Sequence, residues 1–239
     1  MSEQEPKTQI TCMFPRRIPS DIVSRLPMGA YKGEIVIVDT DEDADAAVDE
    51  ISKETLLGFD TESKPSFKKG HSYPVSILQI GGEKKVWIFR LWRLDWSMAR
   101  VFSILENPAI KKVGVAVNGD ISGLKGLREF EPAGFEDISD KTRKIGIVNT
   151  GLRNLLSLFT GFRISKSAQM SNWAAEELSK KQILYAATDA WASRLLYLEV
   201  EKLFRHGGYV LEPEKEGENA KKRGIVKRFF DMLRSKFFA

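Results

Sequence analysis

Leu56-Leu57-Gly58-Phe59-Asp60-Thr61-Glu62 is the stretch on which the reading of this chain turns. An apolar run, Leu56 to Phe59, ends in two carboxylates one residue apart. A run of this length reads as a buried strand. Strand side chains alternate faces, so Asp60 and Glu62 point the same way. Two carboxylates on one face repel each other unless a cation lies between them. Hard divalent cations such as Mg²⁺ or Mn²⁺ take oxygen ligands of this kind. By itself the stretch reads equally as a solvated strand end, and the rest of the chain has to decide.

Upstream, Gly33 to Val38 reads as a strand and residues 43–53 as a helix with Ala44, Ala47, Val48 and Ile51 on one side. Ser20 is a candidate cap for a short helix over Ile22, Val23 and Leu26. Downstream, residues 64–73 form a polar loop with Lys64, Lys68, Lys69 and His71. Val75 to Ile80, the Gly81-Gly82 turn and Lys85 to Phe89 have the signature of a hairpin. A helix over 97–106 and a strand over 111–117 follow, then Asn118-Gly119-Asp120, a helix over 121–130 and a short extended piece at 134–138. Leu152, Leu155, Leu156 and Phe159 recur at helical spacing. Ser179 caps a long helix over 180–204, ended by Gly207-Gly208. This order predicts an α/β domain with a mixed sheet of about five or six strands flanked by helices. Sites in such sheets sit at the C-terminal ends of strands, where Asp60, Glu62 and Asp120 all fall in this reading.

The bulk numbers narrow the chemistry. The chain has 239 residues, suited to one compact domain with extensions. One cysteine excludes an internal disulfide and a cysteine-held zinc, and the two histidines, His71 and His206, match no metal spacing. The N-terminus lacks the apolar core of a signal peptide, and no apolar run approaches the ~20 residues of a membrane span. The expectation is a soluble, cytoplasmic protein. The net charge is +4, but residues 220–239 carry +6, leaving the body slightly acidic.

Two further carboxylates matter. Asp120 follows a strand and opens a helix, where alone it reads as an N-cap. Tyr185 and Asp189 stand at i and i+4 on one helix face, among Ala186, Ala187 and Ala190, which are small enough to let that helix press on the sheet. A charged Asp189 on a tightly packed face is costly without a partner. Asp60, Glu62, Asp120 and Asp189 together could converge on two divalent ions, Mg²⁺ or Mn²⁺, the arrangement that stabilises both the attacking and leaving oxygens of a phosphoryl displacement.

Phe-Asp-Thr-Glu at 59–62, Gly-Val-Ala-Val-Asn-Gly-Asp at 114–120 and Tyr-Ala-Ala-Thr-Asp-Ala at 185–190 resemble the three motifs of the DEDDy 3′–5′ exonucleases, the superfamily of ribonuclease D and of the Werner syndrome helicase exonuclease domain. Ser171-Asn172-Trp173 with Leu178, Gln182 and Tyr185 looks like the run before the third motif in the Werner-type branch, and the resemblance spans about Ile35 to Phe204. It implies a ribonuclease H-like fold and release of nucleoside 5′-monophosphates from a 3′ end. It implies that Asp60, Glu62 and Asp189 hold one metal, that Asp60 and Asp120 contact a second, and that Tyr185 orients or helps deprotonate the water. Gly119 departs from the commonest second motif, which has an aromatic residue there, and this bears on how the terminal base is held. Thr61, Lys64, Lys69, Asn118 and Trp173 are candidate substrate-binding residues. Lys64, Lys68, Lys69 and His71 would touch phosphates. Trp173 would stack on a base, although a core position anchoring the helix suits it better. Arg143, Lys144 and Arg153 line a substrate groove or are plain surface charge.

The predicted organisation is an N-terminal extension over 1–32, an exonuclease domain over 33–208, and a linker with a basic amphipathic tail over 209–239. The tail alternates Phe229, Phe230, Phe237 and Phe238 with Lys227, Arg228, Arg234 and Lys236. It suits docking on a domain or partner, non-specific nucleic-acid binding or an anionic membrane surface. Two other readings compete with the exonuclease: an inactive module that binds nucleic acid, and a phosphodiesterase confined to short oligonucleotides. The expected partner is nucleic acid, as single strand or duplex 3′ end. DNA versus RNA and the oligomeric state do not follow from the sequence.

Overall fold

The structure, a computed structural model, describes residues 12–68, 70–206 and 209–211. Its centre is a six-stranded mixed sheet. The strands are β2 (Glu34–Val38), β3 (Leu56–Ser63), β4 (Val75–Gly81), β5 (Lys85–Arg90), β6 (Lys111–Gly114) and β7 (Phe135–Asp137), in the spatial order β2-β5-β4-β3-β6-β7. β4 is antiparallel to both β3 and β5, and the remaining pairs are parallel. A separate two-stranded parallel sheet joins β1 (Cys12–Phe14) to β8 (Tyr209–Leu211). The tail beyond residue 211, Lys69 and the Gly207-Gly208 stop lie outside the described residues.

The pleat of β3 divides the molecule. Leu57 and Phe59 enter a core shared with α2 (Asp41–Ile51), α3 (Met98–Glu106) and α4 (Val117–Lys125). On the other face Leu56 packs with α6 (Leu152–Thr160) and α7 (Lys180–His206). Buried aliphatic and aromatic side chains of this kind each stabilise by about 1.5–3 kcal/mol. In α2 the buried residues are Ala44, Ala47, Val48 and Ile51, as the spacing predicts, but the helix starts at Asp41 because Thr40 accepts from the Asp43 amide. α6 buries Leu155, Leu156 and Phe159. Ser179 and Gln182 form a reciprocal capping box at the start of α7, with the Gln182 amide donating to Ser179 Oγ at 3.3 Å and the Ser179 amide donating to Gln182 Oε1 at 3.1 Å.

Three local expectations change. Pro19, not Ser20, is the N-cap of α1 (Ser20–Arg25). The third-motif helix has no surprises, but the second-motif helix starts earlier than predicted: β6 ends at Gly114, and Ala116 caps α4 in the left-handed region at φ 62°. Asp120 is therefore a first-turn helical residue, not the cap. The short α5 (Ile138–Lys144) has no apolar periodicity strong enough to read in advance; it forms because Asp137 caps it, accepting from Ser139 N at 2.8 Å.

Candidate active site

α7 lies unusually close to the sheet. A Cβ built on Gly58 would stand 1.9 Å from the Ala190 carbonyl oxygen, and one on Gly81 would stand 2.9 Å from the Ala190 carbonyl carbon. Two glycines below and a run of alanines above permit this contact: Ala186, Ala187 and Ala190 are fully buried. The approach brings Asp189 and Tyr185 onto the face of β3 that carries Asp60 and Glu62. Carboxylate oxygens of Asp60, Glu62 and Asp189 all lie within 4.8 Å of one another. β3 pairs with β6 only over residues 56–58, so its C-terminal half is unpaired on that side, and a register shift at Glu62/Ser63 loosens the other side. Both features open the sheet at the carboxylates.

Asp120 sits beside this trio rather than within it. Its Oδ1 accepts from the Thr61 hydroxyl at 2.6 Å, so Thr61, on the opposite pleat face, links the first and second motifs. The Thr61 hydroxyl thus serves Asp120, although Thr61 also lines the cleft. The four acids are electrostatically one unit. Burial, then the charges of Asp189, Asp120 and Glu62, hold the Asp60 carboxyl well above its ordinary range. Burial with Asp189 and Asp120 pushes Glu62 up to about 8. Asp189 is raised to about 7 by burial, against the opposing effects of a hydrogen bond from the Tyr185 hydroxyl and the charge of Lys166. Asp120 is raised too, chiefly by burial. Crowded, desolvated carboxylates that resist ionisation are what a hard divalent cation relieves, and the donor set is all oxygen. Burial and the neighbouring acids also push the Tyr185 phenol above its usual range, so it stays protonated at neutral pH.

The cleft over these residues has a volume of about 320 Å³, and its walls include Arg153, Asn154, Lys166 and Gln169. Arg153 is the one of the three predicted groove cations that lines it; Arg143 is ion-paired with Asp140 on the surface and Lys144 is exposed. Lys64 does not line this cleft but another groove, with Lys68 and His71, and Asn118 is exposed on the first turn of α4. Trp173 corrects the stacking expectation. It is 0% exposed, packs with Ile77, Ile88 and Ala186, and its ring centroid lies 5.9 Å from that of Tyr185. No face is open to a base; the indole buttresses Tyr185 from behind. The segment carrying it is pinned by Arg90 to the Glu176 carbonyl at 2.9 Å and by Gln182 to the Asn172 carbonyl at 3.1 Å.

Two residues of interest were not singled out from sequence. Lys166 lies in an irregular segment with no motif to mark it. Gln79 did leave a trace, as the one amide inside an apolar strand, Val75 to Ile80. It is fully buried directly across the ladder from Asp60, and neither end of its amide has a hydrogen-bond partner.

Comparison with known proteins agrees with this geometry. A family model described as 3′–5′ exonuclease matches residues 35–204. The bifunctional 3′–5′ exonuclease/ATP-dependent helicase WRN of Mus musculus is 30% identical over 195 residues, which cover 77% of this chain and 14% of that protein. Ribonuclease D of Gluconacetobacter diazotrophicus is 29% identical over 176 residues, 72% of this chain and 44% of that one. Among solved structures, the EXO domain of Aedes aegypti Nibbler superposes with a TM-score of 0.68 at 23% identity, covering 74% of this chain and 93% of that domain. Escherichia coli RNase D gives 0.62 at 19% identity, covering 71% and 46%. At these identities the solved structures speak for the fold, which is the ribonuclease H-like α/β fold of 3′–5′ exonuclease domains. The chain spans 14% to 55% of the length of the first curated relatives it matches. No helix among the described residues is long and apolar enough to cross a membrane.

Proposed function

The chain belongs to the 3′–5′ exonuclease family, and on that premise we propose that it hydrolyses nucleic acid one nucleotide at a time from the 3′ end, releasing nucleoside 5′-monophosphates. The observation that carries this reading is the convergence of Asp60, Glu62 and Asp189 within 4.8 Å in a cleft walled by cationic side chains. Asp60, Glu62 and Asp189 would hold one divalent cation and Asp60 with Asp120 a second, Mg²⁺ or Mn²⁺ in each case. Bound there, such ions supply an activated water and charge stabilisation at both the attacking and leaving oxygens.

The chain's own groups have separable parts in the reaction. Tyr185, protonated and hydrogen-bonded to Asp189, orients the water through its hydroxyl rather than removing a proton from it. Trp173 fixes the ring that does so. Arg153 and Lys166 offset the charge of the scissile phosphate. The water oxygen bonds to the terminal phosphorus and gives up a proton, the bond from phosphorus to O3′ of the preceding nucleotide breaks, and that oxygen leaves as a hydroxyl, so the proton the water releases is balanced by the one O3′ takes up. An intracellular setting, where such 3′ ends are found, belongs to the same proposal.

The test is a digestion ladder on 5′-labelled single-stranded DNA and RNA of one sequence, in Mg²⁺, Mn²⁺ or EDTA, with wild type beside Asp60→Ala. Products should shorten stepwise from the 3′ end. Removing the ligand should cost several kcal/mol of barrier, about a thousandfold in rate. Full activity in EDTA or in Asp60→Ala would refute the assignment.

A further inference from the structure

β4 is buried along its whole length, and Gln79 is the amide in its middle. Strand side chains alternate, so Gln79 shares a face with Ile77 and Gly81, the face that α7 covers. The cover is close, since a Cβ on Gly81 would stand 2.9 Å from the Ala190 carbonyl carbon. The amide therefore has no access to solvent. Its surroundings on that face are apolar: Ile77 on the same strand, Ile88 across the ladder on β5, and Ala186, Ala187 and Ala190 above. Neither the nitrogen nor the oxygen of the amide has a hydrogen-bond partner. A polar group so placed works against the fold, and a buried one without a partner calls for a reason.

On its other side the neighbour is Asp60, directly opposite Gln79 in the β3–β4 ladder. Opposed residues of an antiparallel pair carry their Cβ atoms on one face, about 4.5–5.5 Å apart, within reach of an extended glutamine. Two of the other acids show what a neighbour of this kind does. Asp189 accepts from the Tyr185 hydroxyl, and Asp120 accepts from the Thr61 hydroxyl at 2.6 Å. Asp60, which the proposed function shares between both cations, accepts from the Thr61 backbone amide. Gln79 is the side-chain donor in register with it. Carboxylates that ligate a metal are themselves held by hydrogen bonds from a further layer of groups, which fix their orientation. An amide suits this task. It donates through Nε2 and carries no charge, so it steadies a carboxylate without competing with the cation as a lysine would.

Resting on the metal-dependent reading of the carboxylate cleft, we propose that Gln79 is a positioning residue for Asp60. When divalent cations bind, Gln79 Nε2 donates to an Asp60 carboxylate oxygen and fixes the rotamer in which Asp60 serves both ions. The same amide destabilises the metal-free protein and tightens the hold of the site on its cations.

The test measures Mn²⁺ binding to the full chain by calorimetry, with wild type beside Gln79→Met and Ile88→Met. Gln79→Met keeps the shape and deletes the donor. Ile88→Met disturbs the same layer on the side away from Asp60. Gln79→Met should bind Mn²⁺ about ten- to hundredfold more weakly, and Ile88→Met should keep the wild-type affinity. Melting temperatures separate positioning from packing. A given Mn²⁺ concentration should raise that of wild type more than that of Gln79→Met, a difference that a purely structural amide would not produce. Wild-type affinity in Gln79→Met, or an equal loss in Ile88→Met, overturns the proposal. A Mg²⁺ titration of isotope-labelled wild type reads the bond itself and needs no variant to be stable under the titration. The Gln79 side-chain NH₂ signal, assigned by its loss from Gln79→Met, should move downfield as the site fills, and a signal that does not move overturns the proposal as well. Mn²⁺ bound alike by wild type and Gln79→Met removes this inference and leaves the exonuclease reading intact, whereas no Mn²⁺ bound by wild type removes the premise itself.

Discussion

At the scale of single residues, the four acids work against the fold unless something offsets their charge. In the folded state Glu62 is raised to about 8 and Asp189 to about 7, while in the unfolded chain both titrate near 4. The folded protein therefore holds protons that the unfolded chain releases, so stability is fullest below about pH 4 for these groups and is lost as pH rises through 7 and 8. In EDTA the melting temperature should fall between pH 5 and pH 8.5, by an amount equivalent to on the order of a few kcal/mol. Added Mn²⁺ should restore it, and more so at the higher pH. A metal-free melting temperature that rises over this interval would contradict the electrostatic account. Gln79 presents a second residue-scale cost. An unpartnered buried amide is destabilising by about 1–3 kcal/mol, so Gln79→Met, which keeps the shape and removes the polar atoms, should raise the metal-free melting temperature. A drop would mean that the amide has a partner in solution, with Asp60 across the ladder the first to examine.

At the scale of elements, the site depends on how closely α7 approaches β3. Asp60 and Glu62 lie on the sheet and Asp189 and Tyr185 on the helix, and the contacts of Gly58 and Gly81 with Ala190 set the distance between them, Gly58 being the tighter. Gly58→Ala puts a methyl group where the Ala190 carbonyl stands, and backbone, unlike a side-chain tip, cannot swing aside. Overpacking of this sort costs about 1–3 kcal/mol, and the displaced helix should also weaken Mn²⁺ binding, measured by calorimetry. Unchanged stability and unchanged affinity would show that the helix has slack at this point. The early start of α4 acts in the same way for the second motif: Ala116, held in its left-handed turn by Asp137 accepting from its amide at 3.1 Å, delivers Asp120 to Thr61.

At the scale of the whole molecule, the segment before the sheet packs on the body. Ile18 and Val23 are buried, the Val148 amide donates to the Arg16 carbonyl at 2.8 Å, and the Gly29 amide donates to the Arg163 carbonyl at 2.8 Å. Deleting residues 1–32 should therefore lower stability by a few kcal/mol, from the two aliphatic side chains alone; an unchanged denaturant midpoint would show the segment to be dispensable. The division into 1–32, 33–208 and 209–239 stays a proposal that this deletion probes from one end. The α/β class, the apolar faces of α2 and α6 and the Ser179 cap of α7 were legible in the chain, because each depends on neighbours within one turn or one strand, and the motif residues were legible through their resemblance to a family. Trp173 and Asp120 show where such reasoning stops. Whether an indole faces a base or a core, and whether an acid caps a helix or rides in its first turn, depends on what packs from elsewhere in the chain. That three of the four acids meet within 4.8 Å, that Thr61 holds Asp120, and that Gln79 lies opposite Asp60 emerged from the three-dimensional arrangement alone. Those facts arise from the register between strands and the approach of a helix more than a hundred residues away in sequence, and no local pattern encodes either.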